Sequence, residues 1–236
     1  MSKKQSNGTL LGALEYPFIL LVLMWVVFLA DYIFPIDFYK FGILPRNKNG
    51  LWGILFSPLI HSTSSFSHII NNSPPFLILS WTLFYFYKKI AWQILSISWL
   101  VGGLFVWIAA RSSFHIGMSG VVYSLAFYLF FSGVFRKEMK LMAISLFVAF
   151  LYGSMIWGIF PTKVGISFEG HFFGALVGVL LAYYYQKEGA TFKKKVYEWE
   201  KEELLEKEML AKGYKKVVDP ETGFTVHYEA VDEGNL

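Results

Sequence analysis

The chain has 236 residues, of which 55% are hydrophobic, 19% aromatic and only 16% charged, with a formal net charge of +4. Its mean hydropathy of +0.46 is too high for an ordinary soluble globule and indicates an integral membrane protein. The absence of cysteine excludes disulfides, a thiolate nucleophile, and cysteine-ligated zinc or iron–sulfur sites. Lys and Arg cluster between apolar runs, where they indicate membrane topology, so the positive charge does not predict nucleic-acid binding.

Six apolar runs, each near the roughly 20 residues needed to cross a bilayer, predict an all-α membrane protein. The runs cover residues 16–34, 69–87, 90–110, 117–135, 141–160 and 168–185. The resulting six-helix domain spans residues 15–186, after a short cytoplasmic N-terminal segment of residues 1–14. The composition then changes abruptly, and residues 187–236 are predicted to form a charged cytoplasmic tail with one helix and a small hairpin.

The basic residues predict the orientation of the helices, because cytoplasmic segments of membrane proteins are enriched in Lys and Arg. Lys88 and Lys89 form the short linker between the second and third runs, and a further cluster extends from Lys187 to Lys195. This distribution predicts that both termini are cytoplasmic. The expected location is the bacterial inner membrane, which the chain crosses several times. The second, fourth and sixth helices then all begin near the outer face.

Polar residues converge at the outer ends of those three helices. The second helix carries His68 and Asn72, which are four residues apart and therefore share a face. The fourth opens with a Gly-Met-Ser-Gly sequence containing Ser119, and the sixth opens with His171. A serine between glycines is by itself more typical of close helix packing. A serine nucleophile needs a base, however, so the common depth of the two residues predicts a Ser119–His171 dyad.

Small residues would allow this pair to meet. Gly174 and Gly178 form a Gly-x-x-x-Gly face on the sixth helix, and Gly120 offers a flat site on the fourth. Glu169 is the nearest carboxylate, but it lies two residues before the histidine on a different side of the helix start, so it is expected either to be solvated in the loop or to have an interfacial role. The predicted site is therefore a dyad without a carboxylate.

Hydrolysis of an amide also requires hydrogen-bond donors for the oxyanion that forms. His68, Asn72 and the backbone N–H of Ser119 are suited to that role and form the predicted oxyanion hole. No role is assigned to His61, which lies seven residues before His68, while His115 is interpreted as a loop residue and His227 as a surface residue.

The three motifs, in this order on these helices, resemble the rhomboid family of intramembrane serine proteases. The resemblance covers about residues 15–186 and rests on His68-Ile69-Ile70-Asn71-Asn72, Gly117-Met118-Ser119-Gly120 and Gly170-His171 followed by Gly174 and Gly178. It implies that Ser119 is the nucleophile, that His171 acts as general base and then acid, and that His68 and Asn72 stabilise the oxyanion. It also implies that Tyr123 stacks on the catalytic histidine and that no cofactor is required.

Two features depart from the family pattern. The first outer loop has Pro45-Arg46 and Gly50-Leu51-Trp52-Gly53 where many bacterial relatives have a Trp-Arg pair, which affects the expected shape of that loop. Pro74 and Pro75 closely follow Asn72, where they are either tolerated as first-turn residues or shift the start of the second helix.

Other intramembrane protease chemistries are excluded, since the chain has no His-Glu-x-x-His zinc motif and no aspartate pair within its apolar runs. The predicted function is a serine endopeptidase acting on transmembrane protein substrates within the lipid bilayer. An alternative is a catalytically silent rhomboid-like protein that binds and escorts membrane clients. A transporter would instead require ionisable groups near the bilayer midplane. The sequence leaves the oligomeric state open.

Overall fold

The computed structural model of the chain describes residues 10–151, 157–161, 167–188, 197–218, 223 and 226–230. The chain divides into two compact units, Met1–Ala190 and Thr191–Leu236. The first nine residues and the basic residues from Lys193 to Lys195 lie outside the described part.

The first unit is built of helices. They are α1 (Leu10–Ile33), α2 (Gly53–Phe56), α3 (Ser67–Phe86), α4 (Ala91–Ala109), α5 (Ser119–Arg136), α6 (Met139–Leu151) and α7 (Phe168–Tyr184). The prediction of an all-α domain is confirmed for the described residues of this unit. Within the described chain, α1, α4 and α5 are long and apolar enough to cross a membrane, and α7 is a shorter apolar helix.

The predicted apolar runs agree with helices α3, α4, α5 and α7 to within two residues at each end. The fifth run does not, because α6 ends at Leu151 and the chain forms a 3₁₀ turn at Trp157–Ile159. The prediction of one helix continuing to residue 160 is therefore wrong at its end. Gly158 and Pro161 are poor helix formers and account for the different backbone at this point.

Helix α3 begins at Ser67, so Pro74 and Pro75 lie in its interior. Their interpretation as first-turn residues is wrong. Neither residue has an N–H to donate to the carbonyl one turn earlier. The helix nevertheless continues, because its later turns are stabilised by a buried apolar face that includes Phe76, Leu79 and Leu83.

Helix α5 is the central element of this unit. It packs against α3, α4, α6 and, most extensively, α7. A buried hydrogen bond of 2.8 Å from Ser124 Oγ to Ser98 Oγ joins it to α4. The helix ends where Lys137 adopts a left-handed φ of 57°. Its first residue, Ser119, therefore begins an element that is packed on several sides.

The described part of the second unit consists of helix α8 (Glu198–Ala211), followed by strands β1 (Tyr214–Val218) and β2 (Val226–Ala230). The strands pair antiparallel, with Tyr214 opposite Ala230. Along α8, ion pairs of 2.7 Å join Lys207 to Glu203 and Lys212 to Glu208. These are exposed pairs at helical spacing, so α8 is a solvated helix.

Candidate active site

Ser119 and His171 meet at the N-terminal ends of α5 and α7. Ser119 Oγ lies 2.8 Å from Nε2 of His171, and Nδ1 of His171 lies 2.9 Å from the backbone carbonyl oxygen of Gly158. A carbonyl oxygen only accepts hydrogen bonds, so Nδ1 carries the imidazole hydrogen. Nε2 is then the acceptor for the Ser119 hydroxyl. This is the tautomer in which a histidine can remove a proton from serine.

The two helices approach closely because glycines line their contact. A Cβ added at Gly174 would overlap the backbone carbonyl of Gly120, and one added at Gly178 would overlap the carbonyl of Ser124. A Cβ at Gly120 would in turn lie 3.2 Å from the carbonyl oxygen of Gly170. Backbone thus packs on backbone along this seam. The seam brings the first turns of α5 and α7 within side-chain reach of each other.

Tyr123 lies one turn after Ser119 and covers the imidazole. Its ring is parallel to that of His171, with 4.3 Å between the ring centroids and 9° between the ring planes. The Tyr123 side chain is buried, with 4% exposure. The stacked ring limits rotation of His171 about its side-chain bonds and shields one face of the imidazole.

The carbonyl of Gly158 is a part of the site that the sequence did not indicate. It comes from the 3₁₀ turn Trp157–Ile159, in a stretch predicted as helix. A Cβ at position 158 would overlap the Tyr123 hydroxyl and lie 3.0 Å from Nδ1 of His171. Only glycine therefore fits between these rings and the backbone. Every residue has a backbone carbonyl, so the sequence does not show which one accepts this hydrogen bond. The glycine near the end of an apolar run is only a weak indication.

Gly117 allows the backbone to turn into α5. Its φ of +108° is one that residues with a side chain rarely adopt. Its N–H donates to the carbonyl of Ser57 at 2.8 Å. A Cβ here would also lie 2.7 Å from Nε2 of His68, so the imidazole of His68 sits against the turn that precedes Ser119.

The two predicted oxyanion donors lie on the first turns of α3. His68 accepts the backbone N–H of Ser62 on Nδ1 at 3.3 Å, so its hydrogen resides on Nε2, the atom that faces Gly117. Asn72 donates one hydrogen of Nδ2 to the carbonyl of His68 at 2.9 Å. The Asn72 amide is buried at 6% exposure and has a second hydrogen on the same nitrogen.

His61, for which no role was predicted, is bonded to the same turn. Its Nε2 accepts the backbone N–H of Met118 at 3.3 Å, and its ring centroid lies 4.9 Å from that of His68. Burial lowers the pKa of His61 to about 3, so the ring is neutral near pH 7 and can accept this bond. Its position seven residues before His68 in the chain gave no indication of this contact.

Of the two alternatives expected for Glu169, solvation in the loop is wrong. Glu169 is buried, with 8% exposure, and its Oε1 lies 3.6 Å from Nε of Arg111. The backbone N–H of Arg111 also donates to Oε1 at 3.3 Å. The residue lies in the first turn of α7, where a carboxylate is favoured by the helix dipole. Glu169 thus ties α7 to the loop before α5 and does not contact the Ser119–His171 pair.

A cavity of about 40 Å³ opens beside Ser119. Its polar lining residues are Ser57, Ser98, His115, Ser119 and Ser167. The volume exceeds what one water molecule needs, and hydroxyl groups can hold water by hydrogen bonds. Within the described residues, no group of three His, Asp or Glu side chains is arranged to bind a metal ion.

Comparison with known proteins identifies the family of the chain. A family model described as the Rhomboid domain matches residues 48–188. Uncharacterized protein Rv1337 of Mycobacterium tuberculosis is 32% identical over 152 residues, which are 60% of this chain and 62% of that protein. Uncharacterized protein ML1171 of Mycobacterium leprae is 31% identical over 174 residues, 69% of this chain and 67% of that protein. The chain thus covers less than two thirds of the length of the first of these relatives, while the Rhomboid match covers more than half of the chain. This integral membrane protein belongs to the rhomboid family.

Proposed function

We propose that the chain is an intramembrane serine endopeptidase that hydrolyses peptide bonds in or near the transmembrane segments of other membrane proteins. The observation that carries the proposal is the 2.8 Å contact between Ser119 Oγ and His171 Nε2, with the hydrogen of His171 held on Nδ1 by Gly158. Family membership supports the same reaction class. The pair has the geometry that a serine nucleophile and its base require.

In the proposed reaction, Ser119 Oγ attacks the carbonyl carbon of the scissile peptide while its proton moves to Nε2 of His171. The tetrahedral intermediate collapses as the C–N bond breaks, and His171 gives the proton to the leaving amine. Water then attacks the carbonyl carbon of the acyl ester while His171 removes its proton. The bond from that carbon to Ser119 Oγ breaks, the proton passes from His171 to Oγ, and the acid product leaves. The carbonyl of Gly158 takes the orienting position that a carboxylate occupies in a triad, and it stabilises the imidazolium less than a charge would.

Water is the second substrate and must reach a site at the ends of membrane helices. The cavity beside Ser119, with its serine hydroxyls, is suited to store it. No cofactor enters this mechanism. The proposed partners are transmembrane substrates and the surrounding lipid, and nucleic acid has no part in the reaction.

The oxyanion hole of this proposal consists of His68 Nε2, Asn72 Nδ2 and the backbone N–H of Ser119. His68→Ala and Asn72→Ala should each lower kcat by about tenfold to a thousandfold, because each donor acts on charge that develops in the transition state. Labelling of Ser119 by a fluorophosphonate should persist in both variants, since the nucleophile and base are intact. Turnover of a single-span substrate in liposomes measures the effect.

Asn71→Ala is the matched control for Asn72→Ala, because Asn71 is the adjacent asparagine and is exposed. Its turnover should equal that of the wild type. If Asn72→Ala and His68→Ala both also turn over at the wild-type rate, these side chains do not form the oxyanion hole.

We further propose six membrane spans, α1, α3, α4, α5, α6 and α7, with both termini in the cytoplasm of a bacterial cell. The exposed pair Lys88 and Lys89, between α3 and α4, supports this orientation. Reporter fusions after residue 89 and after residue 138 should then report the cytoplasm, and a fusion after Lys163 the outer side. The inverted pattern would put the active site at the cytoplasmic face and contradict the orientation.

The experiment that tests the function is cleavage of a single-span membrane protein by the purified chain in liposomes, followed by sequencing of the new terminus. A cut within or next to the span supports the protease. Binding of the same substrate with no cut by wild-type protein would instead support the silent, client-escorting alternative.

A further inference from the structure

Two links connect the loop between α4 and α5 to the first turn of α7. Nδ1 of His115 lies 2.5 Å from Oγ of Ser167, and Oε1 of Glu169 receives the backbone N–H of Arg111 at 3.3 Å. We refer to Arg111, His115, Ser167 and Glu169 as the clasp. None of the four is part of the Ser119–His171 pair or of the oxyanion hole.

The imidazole of His115 is held in one orientation. Its Nε2 lies 3.1 Å from the carbonyl oxygen of Arg111, so Nε2 carries the hydrogen and Nδ1 accepts the hydroxyl hydrogen of Ser167. The backbone of His115 pairs with Ile43 in both directions, at 2.9 and 3.0 Å. The residue is 4% exposed, and burial lowers the pKa of this loop histidine, which favours the neutral form that accepts the bond.

Ser167 connects His115 to α7, the helix that carries His171. Its Oγ caps α7 by accepting the N–H of Gly170 at 3.4 Å. Its backbone carbonyl accepts the N–H of His171 itself at 3.3 Å. The distance in the chain from Ser167 to His171 is one helical turn, so a shift of Ser167 shifts the catalytic imidazole with it.

At the other end of the clasp, His115 is connected through a short stretch of chain to the nucleophile. His115 lies four residues before Ser119, and between them the chain is fixed at Gly117 by the bond to Ser57 and at Met118 by the bond to His61. The clasp therefore joins the two segments whose separation decides whether Ser119 Oγ and His171 Nε2 are within hydrogen-bond distance.

We propose that His115 and Ser167 are positioning residues that hold the first turn of α7 at the depth where His171 meets Ser119. The Arg111–Glu169 contact supports the same alignment. The expected fall in kcat rests on the proposed protease function, whereas the expected displacement of His171 does not. A displacement of the reacting groups by about 1 Å can lower a rate by about a hundredfold, so a lost link should appear in kcat.

Four variants test the proposal in full-length protein. Ser167→Ala removes the hydroxyl, and Ser167→Thr keeps it. His115→Gln retains a polar group near the position of Nε2, and His115→Asn retains one near Nδ1, the atom that accepts the Ser167 hydroxyl. We expect kcat to fall about tenfold to a hundredfold in Ser167→Ala and His115→Gln with KM within about twofold, and to recover largely in Ser167→Thr and His115→Asn.

A spectroscopic measurement makes the test independent of activity. The chain has five histidines, so the ¹⁵N resonances of histidine-labelled protein in detergent can be assigned with a His171→Gln variant. In Ser167→Ala, the Nε2 resonance of His171 should move toward that of an imidazole without the Ser119 bond. The control is Ser112→Ala, in the loop between α4 and α5, which removes the hydroxyl that accepts a hydrogen bond from Arg46. This variant should leave the His171 resonance in place.

Wild-type kcat and an unmoved His171 resonance in Ser167→Ala and His115→Gln would overturn the proposal. If the wild type cleaves no substrate but the resonance still moves in these variants, the clasp positions His171 and the protease function is wrong. Loss of kcat in all four variants, with no difference between the conservative and the disruptive changes, would also contradict a role for the Ser167–His115 bond.

Discussion

Replacing Ser119 with alanine is expected to reduce cleavage of a single-span substrate in liposomes by at least about a thousandfold. The substitution removes the oxygen that attacks the peptide and leaves His171 without its partner at 2.8 Å. His171→Ala should have a comparable effect, and the double variant should be no slower than either single one, because a nucleophile and its base act as a unit. The initial rate of product formation measures all three.

Ser113→Ala is the matched control, since Ser113 lies in the loop that leads to Ser119 but has no part in the proposed site. Its rate should equal that of the wild type. The variants should retain the wild-type elution profile and thermal transition in detergent, which separates loss of chemistry from loss of fold. Substantial cleavage by folded Ser119→Ala would contradict the proposed nucleophile.

Gly174→Ala is expected to lower both the stability of the protein and its rate of cleavage, through the packing of α5 on α7. The new methyl group would overlap the backbone carbonyl of Gly120, and a backbone atom cannot rotate away as a side chain can. The helices must separate, at a cost of about 1–3 kcal/mol in the free energy of unfolding. Because Ser119 and His171 lie on the two separated helices, cleavage should fall by about a hundredfold. Thermal unfolding in detergent and the rate of the folded fraction measure the two effects.

The matched control for stability is Gly102→Ala in α4. A Cβ at Gly102 meets no atom within 4 Å, so the same substitution there should leave the transition temperature unchanged or raise it. Alanine stabilises a helix interior relative to glycine by up to about 1 kcal/mol. Equal changes of transition temperature in Gly174→Ala and Gly102→Ala would show that the Gly174–Gly120 contact does not determine the spacing of α5 and α7.

The sequence predicted the helical domain and its polar ends because both depend on residue type. Long apolar runs locate α3, α4, α5 and α7, and the cost of polar groups at membrane depth explains why Ser119 and His171 meet. The Gly174 and Gly178 pattern likewise predicted a close contact, since small residues are the requirement for one. These inferences needed only local sequence and the order of the helices.

The remaining features could not be predicted because they depend on backbone groups or on contacts between distant segments. The orienting acceptor of His171 is a carbonyl, which any residue possesses, and it lies in a 3₁₀ turn at Gly158. His61 reaches Met118 only because the loop before α3 folds back over the nucleophile turn. The partner of Glu169 could not be identified because Arg111 is 58 residues away in the chain.

The most direct test of the central claim is reaction of the purified, folded chain with a fluorophosphonate, followed by mass spectrometric mapping of the modified residue. A serine bonded to a neutral histidine should be labelled selectively, and the label should be found on Ser119 and lost in His171→Ala. A label on Ser113 or Ser167, or equal labelling of native and denatured protein, would contradict the proposed Ser119–His171 dyad.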